Sequence, residues 1–334
     1  MTQRDQLLAR LVTMHAYCRP AGSPCERAFI ERYVLPLGAT RDAHGNYHVI
    51  VGDAPILWSC HTDTVHSSSG HQRVRLDRFG ELTSKRSNCL GADDTAGVFL
   101  CHELIRRGIA GHYVFHYGEE KGCIGSHALA KSEPTWLTDI KYAIALDRGG
   151  CRDIITHQLS ARTASDAFGQ AFASALNVCG LNYEPSDRGV YTDTESYAHL
   201  IPECTNVSVG YFGAHGSAES LNTHHVLALL EALSTIDVLA LPVDRDPSTY
   251  QDYGAYGYYG AHCLQGWPDD DDDDDVIKLG DRWYDRIGDT WIEREADMAE
   301  SCYLDKVYGQ AQAALRAQLA KIPNPQPQGA INAK

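Results

Sequence analysis

No stretch of the chain approaches the roughly 18 to 20 consecutive apolar residues of a membrane-spanning helix. The N-terminus, Met1-Thr-Gln-Arg-Asp-Gln-Leu-Leu-Ala-Arg-Leu, lacks the apolar core and small-residue cleavage site of a secretory signal. Both absences argue against a membrane protein and for a cytoplasmic one. Positive charge is also short: 29 Lys and Arg stand against 44 Asp and Glu, a formal charge of −15. A nucleic-acid groove or a polybasic membrane anchor needs clustered cations, so neither is expected. The 11 cysteines are an odd number and include no CxxC pair. They sit singly in apolar or strand-like runs, as Cys60, Cys101 and Cys123 do, which predicts buried reduced thiols rather than disulfides. No internal repeat is apparent.

What is present suffices for a substantial core, with 334 residues of which 43% are hydrophobic. Up to about residue 243 short β-rich runs (Tyr47–Val51, Ile56–Cys60, Tyr113–Tyr117, Tyr142–Leu146, Asn206–Val209) alternate with helical ones. The helical runs are Gln6–Cys18, Cys25–Tyr33, Ala96–Arg107, Ala164–Val178 and Val226–Leu239. The alternation predicts an α/β three-layer sandwich around a mostly parallel mixed sheet, with ligand sites at the carboxyl ends of its strands. The division expected is a domain over residues 1–243 and an extension over 244–334. The extension holds a Tyr/Gly-rich segment, seven aspartates at Asp269–Asp275 that read as a solvated linker, a helix over about 291–322 and a frayed tail.

Within the domain, charged residues recur where apolar strands end. Ile56–Cys60 runs into His61-Thr-Asp63-Thr-Val65. An imidazole there suits a metal, and Asp63 suits its second nitrogen, although a surface or satisfied core pair reads the same way. Gly91-Ala-Asp93-Asp94-Thr-Ala-Gly97 precedes a helix, where acids also serve as caps. Tyr113–Tyr117 leads to Gly118-Glu119-Glu120-Lys-Gly122. Two adjacent glutamates at a buried strand end call for a cation or for protonation, unless the loop is solvated. Asp147 closes the Tyr142–Leu146 strand, and His215-Gly-Ser-Ala-Glu219 follows the Asn206–Val209 strand.

As an ordered set, these motifs resemble the co-catalytic di-zinc exopeptidases. These include the aminopeptidase Y family, its bacterial leucine aminopeptidase relatives and the related tripeptidase and carboxypeptidase families. The resemblance covers about residues 45–240. It implies that His61 ligates one zinc with Asp63 orienting it, and that Asp93 bridges both metals. Asp93 is preferred to Asp94 because the family's bridging acid lies four residues before a glycine, here Gly97. It further implies Glu119 as general base and Glu120 as a metal ligand. Asp147 would join the metal of His61, and His215 the metal of Glu120. His224 and His225 compete with His215 but open a helix, where capping suffices. Three ligand carboxylates and a bridging hydroxide balance two divalent cations, and imidazole favours Zn²⁺ over Mg²⁺, with Co²⁺ and Mn²⁺ as alternatives.

Only 67 residues separate Asp147 from His215 and 31 separate His61 from Asp93, so neither gap holds the inserted domain of the lidded branches. The compact plan without a lid fits best. In the stretch Arg188-Gly-Val-Tyr191-Thr-Asp193, Tyr191 is a candidate substrate-binding residue. The function implied is a metal-dependent aminopeptidase acting on small peptides. The alternatives are an N-acyl amino acid deacylase with the same two metals, or a catalytically dead binding protein on the same fold. No nucleic-acid or membrane partner is expected, and the sequence leaves the oligomeric state open.

Overall fold

The computed structural model describes residues 2–250 and three strands, Val276–Leu279, Arg282–Ile287 and Thr290–Glu293. Six helices follow the apolar periodicity: α1 (Gln3–Met14), α2 (Pro24–Tyr33), α3 (Ala92–Arg106), α4 (Ile124–Lys131), α5 (Asp166–Val178) and α6 (Thr223–Leu233). Their starts are marked in the sequence. Thr2 and Asp5 form a reciprocal capping box on α1, and Ser23, Ser165 and Asn222 cap α2, α5 and α6. α1 begins earlier and ends sooner than its Gln6–Cys18 expectation, because Tyr17–Cys18 turns out to pair with Gly70–His71 as a strand.

The central sheet has eight strands. In spatial order they are Glu184–Ser186, Asp153–Ile155, Glu203–Ser208, Tyr142–Arg148, Ile56–His61, Gly111–His116, Tyr47–Val51 and Thr40–Arg41. The four inner strands from Glu203–Ser208 to Gly111–His116 are parallel, and antiparallel pairs join them to both flanks. Residue parity divides the core between two layers. Trp58, Cys60, Tyr113, Phe115, Ile144 and Leu146 face the larger cluster with α1, α2, α3, α5 and α6. Leu57, Val114 and Ala143 face a thinner layer that includes Leu129 and Ala130 of α4. This is the expected three-layer mixed α/β architecture, and no separate domain interrupts residues 148–214.

A second, four-stranded sheet was not anticipated. It joins Arg73–Leu76 and Glu81–Lys85 to Ser220–Asn222 and Tyr211–Phe212. Packing also continues past residue 243: Arg245 is buried and donates to the carbonyls of Ala198, Ile201 and Pro202. The helix expected over about 291–322 is corrected at its start, since Trp291 lies in the Thr290–Glu293 strand of an antiparallel three-stranded sheet. Thr-Trp-Ile is β-branched and aromatic, a composition that favours strand. The rest of that helix, most of the Tyr/Gly-rich segment and the Asp269–Asp275 run lie outside the described residues. Among those described, no helix is long and apolar enough to cross a membrane.

Candidate metal centre

Five elements deliver the charged residues to one end of the sheet. His61 is the last residue of its strand, and Asp147 is next to last in the neighbouring one. Glu119 and Glu120 sit in a short turn opened and closed by Gly118 and Gly122, both in the left-handed region at φ 68° and 91°. Asp93 opens α3 with non-helical backbone, as does Asp94, so the regular helix starts after them. His215 comes from the loop between Tyr211–Phe212 and Ser220–Asn222, on the second sheet, with φ 63°.

The side chains converge. His61 Nε2 lies 2.9 Å from Asp93 Oδ1 and 3.5 Å from Asp147 Oδ1. His215 Nε2 lies 3.2 Å from Asp93 Oδ2 and 3.2 Å from Glu120 Oε2. Asp93 therefore meets a different histidine with each oxygen. Two ligands bound at about 2.0 Å to one tetrahedral Zn²⁺ stand roughly 3.3 Å apart, so all four separations suit donors that share a cation. Glu119 stands beside them, its Oε2 4.0 Å from His61 Nε2. Asp63 holds two parts of the group. Its Oδ1 accepts the Glu119 N–H at 3.2 Å and lies 3.5 Å from His61 Nδ1.

The electrostatics show a surplus of negative charge. Burial and the Asp93 charge push Glu120 up to about 7 and Asp147 up to about 6. Burial, Asp147 and Glu120 carry Glu119 well above the usual carboxylate range. For Asp93 the hydrogen bonds from His215 and His61 overcome burial and hold the carboxyl below its usual range. Burial would lower both imidazoles, yet the carboxylates around them raise His61 well above its ordinary value and His215 to about 12. Protons are here doing the work of cations. Glu120 Oε1, Asp147 Oδ1 and Asp63 Oδ2 are buried and have no hydrogen-bond partner. Unpartnered anionic oxygens beside two imidazoles are a donor set that divalent zinc-like ions fit.

Asp94 differs from its neighbour. Its Oδ2 accepts the His61 N–H at 3.1 Å and its Oδ1 the Gly97 N–H at 2.8 Å. Both oxygens are thus engaged by backbone, and Asp94 ties α3 to the His61 strand. Gly97 is needed for that approach, since a Cβ there would lie 2.1 Å from the Leu146 carbonyl oxygen.

Two contributors escaped the sequence reading. Glu219 is buried and accepts four backbone N–H groups, from Leu90 and Gly91 on Oε2 and from Ala92 and Asp93 on Oε1, at 2.7 to 3.1 Å. It thereby fixes the turn that presents Asp93. Tyr211 donates to the Asp147 carbonyl at 3.0 Å and reaches Asp93 Oδ2 at 3.4 Å. A clue to Glu219 was its spacing four residues after His215; Tyr211 carried no signal. Tyr191 bonds to His127 of α4 and lies near Cys123, whose thiol reaches Glu119 Oε1 at 3.5 Å. His224 and His225 give their backbone N–H groups to the Asn222 cap and lie outside the cluster.

Residues 44–201 match the model of Peptidase family M28. Among solved structures, the aminopeptidase PepT from Bacillus cereus ATCC 10987 is similar over 70% of this chain and 98% of its own, with TM-score 0.56 and 15% identity. A tripeptidase from Staphylococcus aureus covers 69% of this chain and 98% of its own, with TM-score 0.55 and 14% identity. A TET aminopeptidase from a marine-sediment Thaumarchaeota archaeon covers 73% and 98%, with TM-score 0.52 and 16% identity. At these identities the likeness establishes the fold. No curated protein matches the sequence. Over residues 44–201 the chain is similar to peptidase family M28, and it is a hydrolase of the metallopeptidase class.

Proposed function

We propose that this metal-dependent, aminopeptidase-like exopeptidase removes N-terminal residues from small peptides, using two Zn²⁺ ions. Asp93, His61 and Asp147 would hold one ion, and Asp93, Glu120 and His215 the other. The observation that carries the reading is Asp93, which addresses His61 with one oxygen and His215 with the other, beside a carboxylate, Glu119, that joins neither pair. When bound, the two cations supply Lewis-acid polarisation of a peptide carbonyl and acidify water.

The chain's own residues do the rest. Glu119 takes the proton from the attacking water and passes it to the leaving amine. Asp63 keeps Glu119 and the His61 ring in register, and Glu219 holds Asp93 in place. Tyr191, on the rim near Cys123, would bind substrate. None of the nine cysteines among the described residues forms a disulfide, which supports a cytoplasmic setting.

The test is Glu119→Gln. Its turnover should fall by about 10³-fold with metal content unchanged at two per chain. Normal turnover in that variant would remove Glu119 from the role of base. Aminoacyl-anilides assayed beside N-acyl amino acids separate the aminopeptidase reading from a deacylase with the same metals.

A further inference from the structure

A second cluster of nitrogen and oxygen donors lies outside the metal centre. The antiparallel pairing of Tyr47–Val51 with Gly111–His116 sets His48 opposite Val114 and Ile50 opposite His112. The two histidines therefore share one face of the sheet as diagonal neighbours. His48 Nδ1 lies 2.9 Å from His112 Nε2, and His48 Nε2 lies 3.0 Å from Asp42 Oδ2. Asp42 is held in turn: its Oδ1 accepts the His44 and Asn46 N–H groups at 2.8 and 2.9 Å, and its Oδ2 accepts Asn46 Nδ2 at 2.8 Å. The Trp136 ring lies 4.0 Å from the His112 ring, centroid to centroid.

The protons in this cluster can be assigned. Burial would raise Asp42, but the hydrogen bonds from His48, Asn46 and His44 bring it below its usual value, so it is ionised and only accepts. His48 Nε2–H donates to Asp42, and in a neutral His48 ring Nδ1 carries a lone pair. His112, pushed down to about 4 by burial and by His48, is neutral and fills that lone pair with its Nε2–H. A cation would replace that single proton. His112 would shift to its Nδ1-protonated tautomer, so no net proton need be lost.

We propose that His48 Nδ1 and His112 Nε2 form a second metal site, selective for imidazole-seeking divalent ions such as Zn²⁺, Ni²⁺ or Cu²⁺. Their 2.9 Å separation is that of two nitrogens sharing one such ion. Asp42 on the far nitrogen of His48 completes the carboxylate–histidine–metal arrangement that fixes ring orientation and raises ligand basicity. The side chains of His48 and Asp42 are 12% and 18% exposed, so solvent reaches the site and water fills the remaining coordination positions. The ion would staple two strands of the sheet edge together, apart from the catalytic centre and independent of its chemistry.

The test titrates Ni²⁺ into the zinc-loaded full chain and follows both bound nickel and tryptophan emission. One further equivalent should bind with saturable quenching. Trp136→Phe should keep the nickel and lose that quenching. His48→Gln and His112→Gln should lose both. Asp42→Asn, which keeps both nitrogens and so guards against misfolded histidine variants, should shift the midpoint upward by about tenfold. No saturable quenching at millimolar Ni²⁺, or a wild-type midpoint in His48→Gln or Asp42→Asn, overturns the site.

Discussion

Two pairs of buried acids lie side by side, and they differ in what satisfies them. Asp94 and Glu219 spend both carboxylate oxygens on backbone N–H groups, two for Asp94 and four for Glu219. Glu120 and Asp147 each keep one buried oxygen with no hydrogen-bond partner. Burial alone therefore does not mark a metal ligand here, and neither does proximity. Asp94 also lies within ligand distance of His61 and Asp147, yet each of its oxygens already takes a backbone N–H. Acids answered by the backbone build the frame, and acids left unanswered are the ones proposed as metal ligands.

The comparison breaks most visibly if the unanswered acids are neutralised. Glu120→Gln and Asp147→Asn should each abolish metal retention and reduce turnover by about 10³-fold or more. In the metal-free chain the same changes should leave stability unchanged or raise it, because they relieve repulsion with Asp93. Glu219→Gln should act in the opposite direction. Its single carbonyl oxygen cannot serve four donors, and its NH₂ would face two of them. A loss of about 3 kcal/mol in urea unfolding of the metal-free chain is expected. If Glu219→Gln and Glu120→Gln shift that stability in the same direction, the two pairs are not different in kind.

A group away from both pairs is governed chiefly by burial. His15 is buried at the end of α1, its Nδ1 2.8 Å from the Leu11 carbonyl, and burial lowers it to about 3. Its folded value lies below its unfolded value, so its contribution is full above pH about 6.5 and is lost as pH falls toward 3. Between pH 7 and pH 5 this one residue should cost about 2 kcal/mol of stability, and His15→Phe should flatten that slope. The smallest effect belongs to Tyr211→Phe. Losing one hydroxyl from Asp93 and the Asp147 carbonyl should lower kcat by roughly tenfold at unchanged metal content, about 1 kcal/mol of positioning.

Much of this centre was legible because polar residues interrupt apolar strands at the same end. His61, Asp147 and the Glu119–Glu120 pair stand out against Ile56–Cys60, Tyr142–Leu146 and Tyr113–Phe115. What stayed hidden depended on partners far apart in sequence. Glu219 meets the amides of residues 90–93 more than 120 positions earlier. The second sheet pairs residues 81–83 with 220–222 through strands too short to show a period. The helix start expected at Trp291 differs for another reason: Trp291 and Ile292 fit a strand period as well as a helical one.

His215 and His61 also differ in how they are mounted. His61 is 1% exposed within a parallel strand, and His215 is 32% exposed on a loop of the smaller sheet. That loop also ends in Glu219, so one segment carries His215 and holds Asp93 at once. Ion exchange at the two positions should then be unequal. The outer ion needs only the rim to swing, while the inner one needs a strand end to part from the sheet. Mild chelation should leave a half-loaded chain with a single, slowly exchanging ion on the His61 side.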